Sequence, residues 1–248
     1  MGVNNNQVIL FVHGAWHGAW CWEHYFIPYF KNKGFRAVTF NLPGHNQPGN
    51  PKGINQYRIK DYVQALRSVA KQWDERLIIV GHSMGGLVLQ KYLEKYSCHR
   101  AILLATVPKS GVFQVTWKFL TSRWYTLPNL LRLNLFGLVN NNAKAKWALY
   151  SEDVTEEILT LSRINLSGES FLAFLNMIVP RIKINFHQKI PILVLSAQED
   201  RLFTLKEHKA TAQSYNADWQ VIPNIAHNMM LESNWKNAAD AIIDWIDD

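Results

Sequence analysis

Cysteine is nearly absent from this chain of 248 residues, which contains only Cys21 and Cys98. Two cysteines cannot build a disulfide framework, and neither lies in a C-x-x-C or zinc-type spacing. Small disulfide-stapled scaffolds and cysteine-based zinc modules are therefore excluded. We expect both residues to be free thiols in a reducing compartment.

Long hydrophobic runs are also missing. No apolar stretch reaches the roughly eighteen residues that a membrane-spanning helix needs. The segment from Met1 to Gln7 lacks the basic and apolar regions of a signal peptide. We therefore expect a soluble, cytoplasmic protein.

Acidic residues are scarce, since 19 Asp and Glu stand against 26 Lys and Arg, for a formal net charge of +7. The imbalance is local, because no acid occurs from Lys95 to Ser151. The basic residues do not form the dense clusters typical of nucleic-acid binding, so we expect no nucleic-acid partner. With 48% hydrophobic residues the chain can bury a large core, as one large domain or as a core with an insert.

Short β-rich apolar runs alternate with segments of helical period, a pattern that predicts an α/β fold with a mostly parallel sheet flanked by helices. We predict about six strands, and an apolar repeat at helical spacing from Trp235 to Ile246 predicts a C-terminal helix. The predicted strands are Val8–Val12, Phe35–Phe40, Leu77–Val80, Ala101–Ala105, Ile192–Leu195 and Trp219–Ile222. In such sheets the ligand site lies at the carboxyl ends of the strands.

The regular spacing breaks once, between the fourth and fifth strands. Roughly eighty residues separate them, although a crossover helix with its loops needs only a dozen or two. We therefore predict a helical insert over 107–187, with a core formed by 1–106 and 188–248. A helix from Ser170 to Val179, stopped by Pro180, is expected within the insert.

Gly81, Ser83 and Gly85 form a G-x-S-x-G motif between a predicted strand and a predicted helix. In this context the serine occupies a strained, tight turn that presents its hydroxyl at the edge of the sheet. The flanking glycines allow strand and helix to approach closely. The motif therefore predicts that Ser83 is a catalytic nucleophile.

A serine hydroxyl is a weak nucleophile at neutral pH and needs a base that is oriented by an acid. His227 follows the last predicted strand, and Asp200 and Glu199 both follow the fifth. All three would lie at the same edge of the sheet as Ser83, in the chain order serine, acid, histidine. His227 is the candidate base, and either carboxylate can be the acid.

An oxyanion intermediate needs preorganised N–H donors. We predict that the backbone amide of Met84, at the start of the helix after Ser83, is one donor. The second is assigned to the amide of Ala15, in the loop after the first strand, and His13 is expected to brace that loop. Trp16 from the same loop, with Trp117 and Trp124 from the insert, is assigned to the substrate pocket.

These segments also carry a family resemblance. The run Gly81-His-Ser-Met-Gly-Gly86 resembles that of monoacylglycerol-lipase and lysophospholipase-like esterases of the α/β-hydrolase superfamily. The run His13-Gly-Ala-Trp-His-Gly-Ala-Trp-Cys-Trp22 resembles the plant methylesterase and hydroxynitrile lyase group, and Asn41-Leu-Pro-Gly-His45 matches the family's loop after the next strand. The resemblance implies an α/β-hydrolase fold with a shortened sheet, Asp200 rather than Glu199 as the acid, and an insert that forms a cap over the nucleophile. Gly14 and Asn228 replace residues that the lyases carry, which argues against lyase activity.

We therefore predict a serine hydrolase that cleaves small-molecule carboxylic esters through an acyl-enzyme. A thioesterase or C–C bond hydrolase with the same groups is the alternative enzyme, and a non-catalytic receptor on this fold is the alternative of another class. No metal or cofactor is expected, since H-E-x-x-H, Walker A and G-x-G-x-x-G motifs are absent. Nothing in the sequence predicts the oligomeric state.

The insert is both cationic and aromatic, and two interpretations remain open. It can meet an amphiphilic or anionic substrate, or contact an anionic membrane surface. Alternatively, its aromatic residues pack on the core while its cations face water.

Overall fold

The computed structural model describes residues 7–73, 76–184 and 189–247. Six parallel strands form one sheet in the order β2-β1-β3-β4-β5-β6. The strands are β1 (Val8–Val12), β2 (Arg36–Thr39), β3 (Leu77–His82), β4 (Arg100–Leu104), β5 (Ile192–Ala197) and β6 (Asp218–Ile222). The predicted six-stranded α/β fold is confirmed, and each strand end lies within two residues of the predicted one.

The strand order explains where a site can form. From β1 the chain moves outward to β2 and then returns to β3 on the other side of β1. Val8 of β1 consequently pairs with both Arg36 of β2 and Leu77 of β3. The loops that leave β1 and β3 lie at a switch point of the sheet, where open α/β folds bind ligands.

Helices cover the sheet because its strands are apolar on both faces. Every residue of β1, β3 and β5 is buried, as parallel strands with two covered faces require. The covering helices are α1 (Trp20–Glu23), α2 (Phe26–Asn32), α3 (Ile59–Ala70), α4 (Met84–Tyr92), α10 (Leu205–Tyr215) and α11 (Trp235–Asp247). The predicted C-terminal helix is α11, which packs against α2 and buries Ile242 and Ile246.

The chain between β4 and β5 is helical, as the spacing predicts. Its helices are α5 (Phe113–Ser122), α6 (Thr126–Leu131), α7 (Asn142–Leu149), α8 (Glu156–Asn165) and α9 (Phe171–Ile178), with a short 3-10 turn at Leu135–Leu138. Ser170 caps α9, which ends before Pro180 as expected. The predicted end of the insert, at 187 and 188, lies outside the described residues, so the division into core and cap stays a prediction.

Among the described residues, no helix is both long and apolar enough to cross a membrane.

Candidate active site

Ser83 lies in the turn that joins β3 to α4. Its φ of 51° and ψ of −117° are unusual for a residue with a side chain, and its N–H donates to the carbonyl of Leu104 at 3.0 Å. A Cβ on Gly81 would lie 2.5 Å from the carbonyl oxygen of Gly85, and one on Gly85 would lie 2.4 Å from that of Val12. Both positions of the motif therefore need glycine for close backbone approach, as the sequence predicts.

The structure brings the three predicted groups into one hydrogen-bonded chain. Nε2 of His227 lies 2.9 Å from Oγ of Ser83, and Nδ1 of His227 lies 2.8 Å from Oδ2 of Asp200. The carboxylate of Asp200 can only accept hydrogen bonds, so the proton of neutral His227 is on Nδ1. Nε2 is therefore free to accept the hydroxyl proton of Ser83. This arrangement can deprotonate Ser83 as it attacks an electrophile.

Asp200 is held as a carboxylate by its surroundings. Its Oδ1 accepts the N–H groups of Leu202 at 2.7 Å and Phe203 at 3.1 Å. Burial alone would raise the pKa of Asp200, but the charge and hydrogen bond of His227 and the other donors together lower it. Glu199, the rival acid, is exposed, so the structure places Asp200 and not Glu199 on His227.

The loop after β1 is braced by His13. Nε2 of His13 accepts the N–H of Leu42 at 3.0 Å, so Nδ1 carries the proton and donates to the Gly14 carbonyl at 2.9 Å. Burial lowers the pKa of His13 well below its ordinary value and keeps the ring neutral. The Gly14 carbonyl belongs to the same peptide group as the Ala15 amide, so His13 fixes the plane of that amide.

Ala15 and Met84 both line a cavity beside Ser83. Within residues 7–73, 76–184 and 189–247, neither backbone amide donates a hydrogen bond. Met84 is the first residue of α4, where helix N–H groups lack intrahelical partners and the dipole favours negative charge. The two amides are thus available to an anionic ligand atom, and their role as oxyanion donors stays a prediction.

Two further buried histidines hold the loop of His227, and sequence reasoning assigned neither of them. Nε2 of His82 donates to the carbonyl of His227 at 3.0 Å. Nδ1 of His17 donates to the Ala15 carbonyl at 2.7 Å, and its Nε2 accepts the side-chain amide of Asn228 at 3.0 Å. The repeated His-Gly-Ala-Trp signal in the sequence marks His17, although only the fold reveals its partners.

The cavity beside Ser83 is almost wholly apolar. Trp16 lines it as expected, and its indole N–H donates to the carbonyl of Leu135 at 3.1 Å. Other apolar side chains of its walls include Val115, Phe119, Leu130, Leu138, Phe174 and Met177. The helices between β4 and β5 supply most of them, so these helices shape the space above Ser83.

Trp117 and Trp124 do not line this cavity, which corrects their assignment to the pocket. Trp117 is 62% exposed and Trp124 is 87% exposed. On α5 the residues that face the cavity are Val115, Thr116 and Phe119, and the helical period directs Trp117 to the outside. Aromatic character alone could not distinguish the two faces of this helix.

Glu169 is a wall residue that the sequence did not reveal. It is buried, and its Oε1 accepts the hydroxyl of Tyr62 at 2.9 Å and the N–H of Ser170 at 2.7 Å. Its Oε2 lies 3.0 Å from Nε2 of His45. Burial opposes protonation of His45, but the charge of Glu169 and the hydrogen bonds raise its pKa overall. This pair joins the insert to the loop after β2.

Comparison with known proteins agrees with this architecture. The family model described as "Alpha/beta hydrolase family" matches residues 9–241, nearly the whole chain. The chain belongs to the alpha/beta hydrolase family. The resemblance seen in the sequence and the predicted fold are thereby confirmed.

Among curated relatives, this hydrolase is 34% identical over 85 residues to Methylesterase 9 of Arabidopsis thaliana, covering 31% of this chain and 30% of the relative. It is 32% identical over 108 residues to Probable esterase PIR7A of Oryza sativa subsp. indica, covering 41% and 40%. The chain thus aligns with less than half the length of these relatives. A methylesterase from Arabidopsis superposes with a TM-score of 0.70 at 19% identity, over 97% of this chain and 99% of that one.

In the part of the chain that the structure describes, no cluster of three or more His, Cys, Asp or Glu side chains could hold a metal ion.

Proposed function

We propose that this alpha/beta hydrolase cleaves carboxylic esters by nucleophilic catalysis at Ser83. The observation that carries the proposal is the continuous hydrogen-bonded chain from Asp200 through His227 to Ser83 beside an apolar cavity. The similarity to Methylesterase 9 and to a probable esterase supports an ester as the substrate class.

In this mechanism Oγ of Ser83 attacks the ester carbonyl while its proton moves to Nε2 of His227. The new imidazolium is stabilised by Asp200, and the tetrahedral oxyanion accepts hydrogen bonds from the backbone N–H groups of Ala15 and Met84. Collapse breaks the bond to the alcohol, which takes the proton from His227, and leaves the acyl group on Ser83. Water then attacks the acyl-enzyme through the same proton transfers to and from His227, and the carboxylic acid product leaves Ser83. Each oxyanion donor of this kind contributes about 3–4 kcal/mol to transition-state stabilisation.

The cavity supports a small-molecule substrate with an apolar acyl or alcohol group. Its walls offer many methyl groups and aromatic rings, and Glu169 is the one carboxylate among the residues that line it in the described part of the chain. Both oxygens of Glu169 already accept hydrogen bonds, so a substrate gains little from binding to it. Apolar burial is therefore the principal source of affinity.

The first experiment is labelling with a fluorophosphonate probe, followed by a panel of p-nitrophenyl esters and acyl thioesters of graded chain length. We expect the wild type to be labelled and to hydrolyse the esters. Ser83→Ala should lose both properties, and Ser68→Ala, which alters an exposed serine on α3, should keep both.

Several outcomes would contradict the proposal. Labelling that persists in Ser83→Ala would remove Ser83 from the nucleophile role. An absence of labelling in a folded wild-type protein would favour a non-catalytic receptor. Turnover of the thioesters alone would replace the ester assignment by that of a thioesterase.

A further inference from the structure

The outer side of α5 and α6 exposes an unusual set of large apolar side chains. We call the set Phe113, Trp117, Trp124, Leu127 and Leu131 the outer apolar surface. These side chains are 54% to 87% exposed, with Trp124 at 87% and Leu131 at 75%. Single exposed apolar residues are ordinary, but five on two adjacent helices and their linker indicate an interaction surface.

The arrangement follows from helical geometry. On α5, Phe113 and Trp117 are four residues apart and share one stripe, while Val115 and Phe119 face the cavity. On α6, Leu127 and Leu131 share a stripe in the same way, while Leu130 faces the cavity. The two helices are in contact. They therefore form a wall that has the cavity on one side and the outer apolar surface on the other.

The charges of the segment that carries this surface have one sign. Lys118, Arg123 and Arg132 lie within or between the two helices or directly after them, and no acid occurs from Lys95 to Ser151. Arg123 stacks on the ring of Trp147, and Lys118 donates to the backbone carbonyl of Arg201. Among the described residues, none of these three cations forms an ion pair with a carboxylate.

We propose that the outer apolar surface docks on a bilayer that contains anionic phospholipid. Tryptophan and leucine side chains enter the boundary between headgroups and acyl chains, while flanking Lys and Arg residues attract the anionic headgroups. Tryptophan is favoured at this depth because its ring is apolar and its N–H stays hydrogen-bonded.

The charge pattern favours a membrane over a second copy of this chain. In a two-fold dimer the same patch faces itself, so the cations of both copies would approach one another, and the segment from Lys95 to Ser151 supplies no acid to pair with them. Like charges across an interface oppose association. An anionic bilayer satisfies both the apolar and the cationic features at once.

Docking in this orientation would place the wall of the cavity against the lipid. Val115 and Leu130, which line the cavity, lie on the same two helices as four of the five side chains of the outer apolar surface. The proposal concerns binding and is independent of the chemistry proposed at Ser83.

The test is co-sedimentation of the purified chain with vesicles of phosphatidylcholine alone or mixed with phosphatidylglycerol at about three to one. We expect binding to the anionic vesicles that weakens as NaCl rises from about 0.1 to 0.5 M. Arg132→Glu should weaken binding to the anionic vesicles about fivefold or more, because the attraction between one cation and the anionic headgroups is lost. Trp124→Ser combined with Leu131→Ser should weaken it about tenfold or more.

Matched controls separate this surface from general effects of charge and hydrophobicity. Lys31→Glu makes the same charge change on an exposed residue of α2, and Ile164→Ser removes an exposed aliphatic side chain from α8. Both controls should bind as the wild type does. Equal binding to neutral vesicles, no binding to either vesicle, or equal loss in the controls would overturn the proposal. So would a dimer in light scattering that the double substitution dissociates.

Discussion

The side-chain amide of Asn228 lies 3.0 Å from Nε2 of His17 and joins the loop of His227 to the loop of Ala15. His17 in turn donates from Nδ1 to the Ala15 carbonyl at 2.7 Å. Asn228 and His17 are both buried. One short chain of hydrogen bonds therefore sets the spacing between the proposed general base and a proposed oxyanion donor.

We predict that Asn228→Ala lowers kcat for ester hydrolysis by about 10- to 100-fold with a smaller change in KM. The reason is that small displacements of catalytic groups have large effects on the chemical step. The substitution also leaves Nε2 of His17 without a donor, which costs about 1–3 kcal/mol of stability. Steady-state kinetics and urea unfolding measure the two effects.

Two variants serve as controls for this prediction. His17→Gln should retain more activity than Asn228→Ala, because its amide can donate to the Ala15 carbonyl and accept from Asn228. Asn237→Ala, at an exposed position of α11, should behave as the wild type. Equal kcat in Asn228→Ala and the wild type would show that the link has no positioning role.

The two neighbouring carboxylates offer a second prediction. Asp200→Asn should lower kcat by roughly 10³- to 10⁴-fold, because an amide can no longer hold the reactive tautomer of His227 or stabilise its charged form. Glu199→Gln makes the same chemical change at the exposed neighbour and should alter kcat less than about twofold. Kinetics of both variants on one ester decide the matter. A larger loss of kcat in Glu199→Gln than in Asp200→Asn would show that Glu199, and not Asp200, is the acid.

Periodicity and motif spacing predict the sheet, the C-terminal helix, and the positions of Ser83, Asp200 and His227 near one another, because each depends on local sequence and on parallel strand ends meeting at one edge. They could not decide between Asp200 and Glu199 without the resemblance, since both follow β5. They also misplaced Trp117 and Trp124. The face that a helix of the insert buries depends on tertiary contacts, which residues distant in sequence determine. Glu169 was missed for the same reason, because its partners Tyr62 and His45 are distant in sequence.

Close backbone approach at the turn of Ser83 gives a third prediction. Gly85→Ala would place a methyl group 2.4 Å from the carbonyl oxygen of Val12 and 2.5 Å from that of His13. Neither is the end of a flexible side chain, so β1 or α4 must shift. We expect a loss of about 3 kcal/mol or more in the free energy of unfolding, together with loss of fluorophosphonate labelling.

Gly53→Ala is the matched comparison for the glycine prediction. Gly53 has a φ of +80° but only the side chain of Gln56 nearby, at 3.6 Å. Alanine there meets backbone strain without overlap and should cost about 1–2 kcal/mol. Urea unfolding of the two variants separates strain from overlap. If the two losses were equal, close approach at Gly85 would not be the reason for its glycine.

Burial of His17 predicts a dependence of stability on pH. Burial lowers the pKa of His17 to about 4, although its hydrogen bond to Ala15 acts in the opposite direction. The unfolded chain binds the proton below about pH 6.5 and the folded chain does so only below about 4. The folded state therefore loses stability as the pH falls between these values, by about 3 kcal/mol for this one residue.

His17→Gln isolates that contribution because it keeps the hydrogen bonds and removes the titrating group. Between about pH 7 and pH 4.5, we expect the free energy of unfolding of this variant to fall by about 2–3 kcal/mol less than that of the wild type. His13 and His82 are also buried with lowered pKa values, so the variant should still lose some stability in acid. His99→Gln, at an exposed position, should follow the wild-type curve. Parallel curves for His17→Gln and the wild type would show that His17 does not stay neutral through burial.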